Sequence, residues 1–141
     1  MALVAFCPTL DSVNPLVASV QLPGPSIIVE PPTDSSRWVS HVASTLAKTA
    51  EPLVLVFFGE AAIHAPALGF SRRSLRRPAI SYVLVDPQMP KVGGEYGDWP
   101  DAPVTVLISE NPPEFARESA MQSRLRGWTV SNQTLQEILD M

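Results

Sequence analysis

Five short stretches of this 141-residue chain are nearly unbroken in apolar residues: ALVAF (2–6), SIIVE (26–30), LVLVFF (53–58), ISYVLV (80–85) and VTVLI (104–108). A strand with one wet face alternates apolar and polar residues, whereas a strand buried on both faces does not. None of the 15 prolines falls inside these stretches. Pro8, Pro25, Pro31, Pro32, Pro52, Pro78, Pro87 and Pro103 stand at their ends, where a missing N–H removes no ladder hydrogen bond. The pattern predicts parallel strands covered on both sides.

The intervening segments carry helical periodicity. Residues 34–49 open with Asp34, Ser35 and Ser36, which are N-capping types. Trp38, Val42 and Thr45, with Val39, Ala43 and Leu46 beside them, then form one apolar stripe. A second helix is expected over 61–68, limited by Pro66 to about two turns. A third, over 112–128, has prolines first, acids in the early turns, arginines late and Gly127 as its stop. A short helix over 134–139 closes the chain. Strand and helix alternating at this spacing imply right-handed βαβ units. The expected fold is therefore α/β: one domain over 1–141, with an open, mostly parallel sheet of five or six strands between helices on both faces. Ligands of such sheets bind beyond the carboxyl ends of the strands. Those ends are Cys7-Pro8-Thr9, Glu30-Pro31, Gly59-Glu60-Ala61, Asp86-Pro87 and Ser109-Glu110-Asn111.

Composition narrows the partners. The chain is 45% hydrophobic, enough for a core that removes roughly two-thirds of the unfolded surface from water. Its net charge of −4 creates no field favouring nucleic acid or an anionic membrane. No run approaches the roughly 18–20 apolar residues of a membrane span. The opening MALVAFCPTL lacks a cationic segment and meets Pro8 too early for a secretory signal. Cys7, the single cysteine, excludes an internal disulfide and fits a reducing compartment. With only His41 and His64 to join it, no metal cluster is expected. The glycines at 93, 94 and 97 mark a turn and not a phosphate cradle. The expectation is a cytoplasmic protein without metal or cofactor.

LVLVFFGEAAIHAPALGF (53–70) followed by RRPAISYVLVDPQMP (76–90) resembles the part of α/β hydrolases that holds the nucleophile elbow and the next strand. WPDAPVTVLISENPPEFARESAMQSRLRGWTV (99–130) resembles the last core strand of one group in that superfamily, with its Ser-Glu turn and its helix ending in Arg-Gly-Trp. The resemblance covers roughly 53–130, and 2–46 more weakly. It implies a reduced three-layer hydrolase core and an elbow at Gly59-Glu60-Ala61-Ala62. The departures are chemical. The nucleophile position holds Ala61, and the acid position falls at Glu110 or Asn111. The histidine loop is reduced to Ser131-Asn132-Gln133, and the oxyanion His-Gly is replaced by Cys7-Pro8. The lid segment shrinks to KVGGEYGD (91–98). Losing one triad member costs about 10⁴–10⁶ in turnover and the members act as a unit, so no serine-hydrolase mechanism is left.

Other chemistry at the same place needs other residues. Glu60 and His64 are four apart, which puts them on one face of an α-helix. There Glu60 would raise the imidazole pKa and the pair would serve as general acid and base. The plainer reading is a Glu60 exposed at a helix N-terminus, with His64 packed on a neighbouring helix. Cys7 ends the first strand but has no base beside it in the sequence, which favours a buried, inert thiol. Asp86 reads as a turn residue before Pro87. Ser71 and Ser109 lack any base in the pattern. The four arginines of SRRSLRR (71–77) suit phosphate or an acidic partner, but in an acidic chain a solvated helix end is the simpler reading.

Two functions follow. The first is a degenerate, non-catalytic α/β-hydrolase-like protein that binds a small apolar metabolite or a protein partner, a second copy of the chain included. Cys7, Thr9, Ala61, Asp86 and Glu110 line its strand-end site, and Trp99 and Trp128 are candidates for the apolar wall. The second is a non-hydrolytic enzyme of biosynthesis (elimination, isomerisation or cyclisation) in which Glu60 and His64 do the chemistry.

Overall fold

The computed structural model describes residues 3–7, 26–30, 32–49, 52–89, 99–109, 112 and 114–132. Six strands form one open sheet: β1 (Leu3–Cys7), β2 (Ser26–Ile28), β3 (Leu53–Phe58), β4 (Ser81–Val85), β5 (Val104–Leu107) and β6 (Thr129–Ser131). Their order is β2-β1-β3-β4-β5-β6, and every neighbouring pair is parallel. Three α-helices accompany them: α1 (Trp38–Ala47), α2 (Ala65–Ser74) and α3 (Glu114–Leu125). The chain has the expected α/β fold, consistent with three layers. The five apolar runs supply β1 to β5. The short edge strand β6 has no apolar run to announce it. The segments 91–98 and 134–139 lie outside the described residues.

Both faces of the sheet are buried, which is why the runs do not alternate in polarity. Leu3, Ala5, Cys7, Leu53, Leu55, Phe57, Tyr82, Leu84, Val104 and Val106 point to one face. There they meet Trp38, Val42 and Leu46 of α1, with Ala65 and Leu68 of α2. Phe6, Val56, Phe58, Val83, Val85 and Leu107 form a second buried cluster on the opposite face. Register keeps the two sets apart: Leu55 pairs with Ala5 and Tyr82, and Val56 with Phe6 and Val83. Each fully buried Leu or Phe contributes roughly 1.5–3 kcal/mol of burial.

Local signals set the helix limits. Asp34 accepts hydrogen bonds from the Ser36 N–H (3.0 Å) and hydroxyl (2.7 Å), and a 3₁₀ turn over Ser35–Arg37 leads into α1. Pro66 does not shorten the second helix. It stands in the first turn of α2, where no N–H is needed, and the helix runs on to Ser74. Gly127, at φ 78°, ends α3, with Trp128 N–H donating to the Ser123 carbonyl.

α2 approaches the sheet closely at Gly69. A Cβ there would lie 2.5 Å from the Tyr82 hydroxyl and 2.9 Å from Trp99 Cδ1. Tyr82 packs edge-on against Trp99, and Trp99 edge-on against Trp128, with ring centroids 5.2 and 5.5 Å apart. The tyrosine hydroxyl donates to Asp101 at 2.6 Å, and Asp101 pairs with Arg73 at 3.3 Å. Burial, with the Asp101 contact behind it, raises the Tyr82 pKa. The tryptophans expected at an apolar ligand wall are joined here in core packing, Trp99 fully and Trp128 partly buried.

Candidate functional site at the carboxyl ends of the strands

β3 ends extended at Phe58, and the chain turns at Gly59, whose φ of 56° a side chain would resist. A 3₁₀ helix then covers Gly59–His64 before α2 begins. The left-handed corner is therefore the glycine and not Ala61. Ala61 is 0% exposed and belongs to the core cluster with Leu55 and Phe57. The methyl expected to face a ligand packs against the sheet instead.

The 3₁₀ geometry also separates Glu60 from His64. Residues three apart eclipse in such a turn, so residues four apart lie roughly 120° from each other around the axis. Glu60 is exposed, whereas His64 is half-buried and stacks on Trp38 of α1 with ring centroids 4.9 Å apart. Burial lowers the imidazole pKa, and the Glu60 charge, acting upward, only partly offsets it. The expectation that Glu60 would carry the imidazole upward is corrected, because desolvation is the larger effect. At neutral pH the ring is mainly an uncharged stacking partner between two helices.

Cys7 is completely buried, and its thiol is directed at the Ala5 carbonyl 3.7 Å away. Desolvation pushes its pKa up to about 12, which leaves no thiolate for nucleophilic work. Thr9 and Glu110 lie outside the described residues.

Asp86 holds a more specific position. It follows β4 directly, at φ 43°, a left-handed conformation uncommon outside glycine. Its Oδ1 accepts from the Ser109 N–H (2.9 Å), its Oδ2 from the Ser109 hydroxyl (2.6 Å), and its own N–H donates to the Leu107 carbonyl (2.8 Å). The ends of β4 and β5 are latched together. Ser109, unsupported in the sequence pattern, has a carboxylate partner here.

The arginine cluster disperses into separate structural duties. Arg72 is 2% exposed and donates from Nε to the Arg77 carbonyl and from Nη1 to the Leu46 carbonyl, both at 3.0 Å. Burial first, and the Arg77 charge second, lower its pKa. Arg73 pairs with Asp101, and Arg77 donates to the Thr49 carbonyl at 3.2 Å. Arg72 and Arg77 tie the end of α2 to the end of α1, where helix-terminal carbonyls favour cations.

Open space lies elsewhere on the same rim. A cleft of about 720 Å³ sits between α3 and the ends of β5 and β6. Ile108, Ala120 and Val130 supply its apolar lining, and Ser109, Ser131, Asn132, Arg117 and Arg124 its polar lining. Sequence reasoning placed the site along this rim but missed the arginine pair. Its signal was present, since residues seven apart complete almost two helical turns and share a face. Among the described residues no group of three His, Cys, Asp or Glu side chains is arranged to hold a metal, and no helix is long and apolar enough to cross a membrane. No protein-family model, curated protein or solved structure matches this chain.

Proposed function

We propose that the chain is a non-hydrolytic, α/β-hydrolase-like binding domain that takes a small molecule in the cleft between α3 and the ends of β5 and β6. The cleft itself carries the reading, because it is open, lies at the carboxyl rim and has a part-apolar lining. The resemblance adds support. The turns after β5 and β6 are where that family would keep its acid and its histidine, and among the described residues Ser109, Ser131 and Asn132 border the space there. The absence of a lone pair at Ala61 and the burial of Cys7 speak for binding over covalent chemistry. For the acid/base alternative, the support is limited to the residual influence of Glu60 on His64.

Titration of ¹⁵N-labelled protein with 8-anilinonaphthalene-1-sulfonate tests the reading. The amides of Ser109, Ser131 and Asn132 are expected to shift, while those of Gly59–His64 stay in place. Shifts confined to the 59–64 segment would overturn it.

A further inference from the structure

Taking the cleft as the ligand site, we propose that its ligand bears an anionic head, a carboxylate or a phosphate, gripped by Arg117 and Arg124 above an apolar floor of Ile108, Ala120 and Val130. Five of the six other arginines mark the contrast, and the sixth, Arg76, is not among the residues that border the cleft. Arg37 pairs with Asp34, Arg72 and Arg77 are bound to carbonyls, Arg73 pairs with Asp101, and Arg126 lies over the Trp128 ring. Arg117 and Arg124 meet no carboxylate within ion-pair distance among the described residues, and both border the same cleft.

Among the described residues no Asp or Glu lines that cleft, although the chain as a whole is acidic. Asp86, which contacts the lining residue Ser109, already accepts two hydrogen bonds from it. Because the Ser109 hydroxyl proton is donated to Asp86, its oxygen can only accept from a ligand, and the arginines and Asn132 are among the donors an anion would meet. Guanidinium forks suit the planar oxygens of carboxylate and the tetrahedral oxygens of phosphate alike. An apolar floor beneath two cations describes a short amphiphile. A fully apolar ligand would make no use of either charge.

Three probes with the same six-carbon body, hexanoate, hexyl phosphate and hexan-1-ol, separate the possibilities. Each is titrated into ¹⁵N-labelled wild-type protein and the R117Q/R124Q variant while the Ser109, Ser131 and Asn132 amides are followed. Both arginines are exposed, so the variant is expected to keep its fold, checked by circular dichroism. The single R117Q and R124Q variants stand in if it does not. At least one anion should bind about tenfold more tightly than hexan-1-ol, weaken with salt, and fall to the level of the alcohol in the variant. Preference between the two anions then identifies the head group. Equal binding of all three would overturn the anionic head and leave the cleft reading standing. Anion binding unchanged in the variant would overturn the arginine assignment. Silence of the cleft amides to every probe would overturn this inference and the binding reading together.

Discussion

Asp86 grips Ser109 with both carboxylate oxygens, at 2.9 Å to the N–H and 2.6 Å to the hydroxyl, and so joins the ends of two neighbouring strands. The backbone at Asp86 is held left-handed at φ 43° to make this possible. Replacing Asp86 by Ala should cost about 2–3 kcal/mol, because two hydrogen bonds are lost and the strain stays. D86G should be about 1 kcal/mol more stable than D86A, since glycine relieves only the strain. D86N, which can still accept from the N–H, should lose about 1 kcal/mol. Urea denaturation ranks the three variants, and equal stability of D86G and D86A would show the backbone to be unstrained.

Gly69 is needed where α2 crosses Tyr82. G69A is expected to destabilise the protein by about 1–2 kcal/mol, the steric clash exceeding the gain in helix propensity. The clash is mainly with the tyrosine hydroxyl at 2.5 Å. In a Y82F background the same substitution should cost at least about 0.5 kcal/mol less. A double-mutant cycle with no coupling would refute the contact.

His64 should titrate below the ordinary imidazole value of 6.5 in an NMR pH series, and E60Q should move it lower still, because the Glu60 charge is what raises it. The sign for stability follows. With the folded value depressed, the unfolded chain binds more protons between the two values. The contribution is complete above pH 6.5 and is lost as pH falls from there through the folded value. H64F should flatten that decline in thermal scans taken from pH 7 to 5. An His64 midpoint above the ordinary value would reverse the argument.

Arg72 joins α1 to α2 from inside the core. R72A should cost about 2–4 kcal/mol, through an unpaired Leu46 carbonyl and the cavity left behind. R72K should recover less than half, since one ammonium cannot replace a fork that spans two carbonyls. Denaturation midpoints of the two variants check this.

Cys7 should resist labelling by 5,5′-dithiobis(2-nitrobenzoate) at pH 8 in the folded protein and react fully in urea. A thiol buried in the sheet with a pKa of about 12 offers neither access nor thiolate. Rapid labelling under native conditions would contradict its placement.

Much of the fold could be read before any coordinates. Burial on both faces selects continuous Val, Ile, Leu and Phe, and proline cannot enter a ladder, so β1 to β5 stand out from composition and punctuation alone. Thr129–Ser131 does not, because a three-residue edge strand needs neither property. Pro66 was ambiguous for a related reason: the same ring starts a helix or breaks one, depending on where the first turn falls.

The site divides along the same line. The chain alone determined that no serine follows Gly59 in the turn after β3, that there is a single thiol, and that Arg117 and Arg124 share a helix face, since these depend on residue identity and local spacing. Tertiary structure alone decided that burial outweighs Glu60 at the His64 ring and that Asp86 captures Ser109. It also decided that Arg72 and Arg77 join two helix ends and Arg73 pairs with Asp101, while another pair borders the cleft. The physical reason is that desolvation and hydrogen-bond partners are set by groups brought in from distant segments, and a linear pattern does not encode their distances.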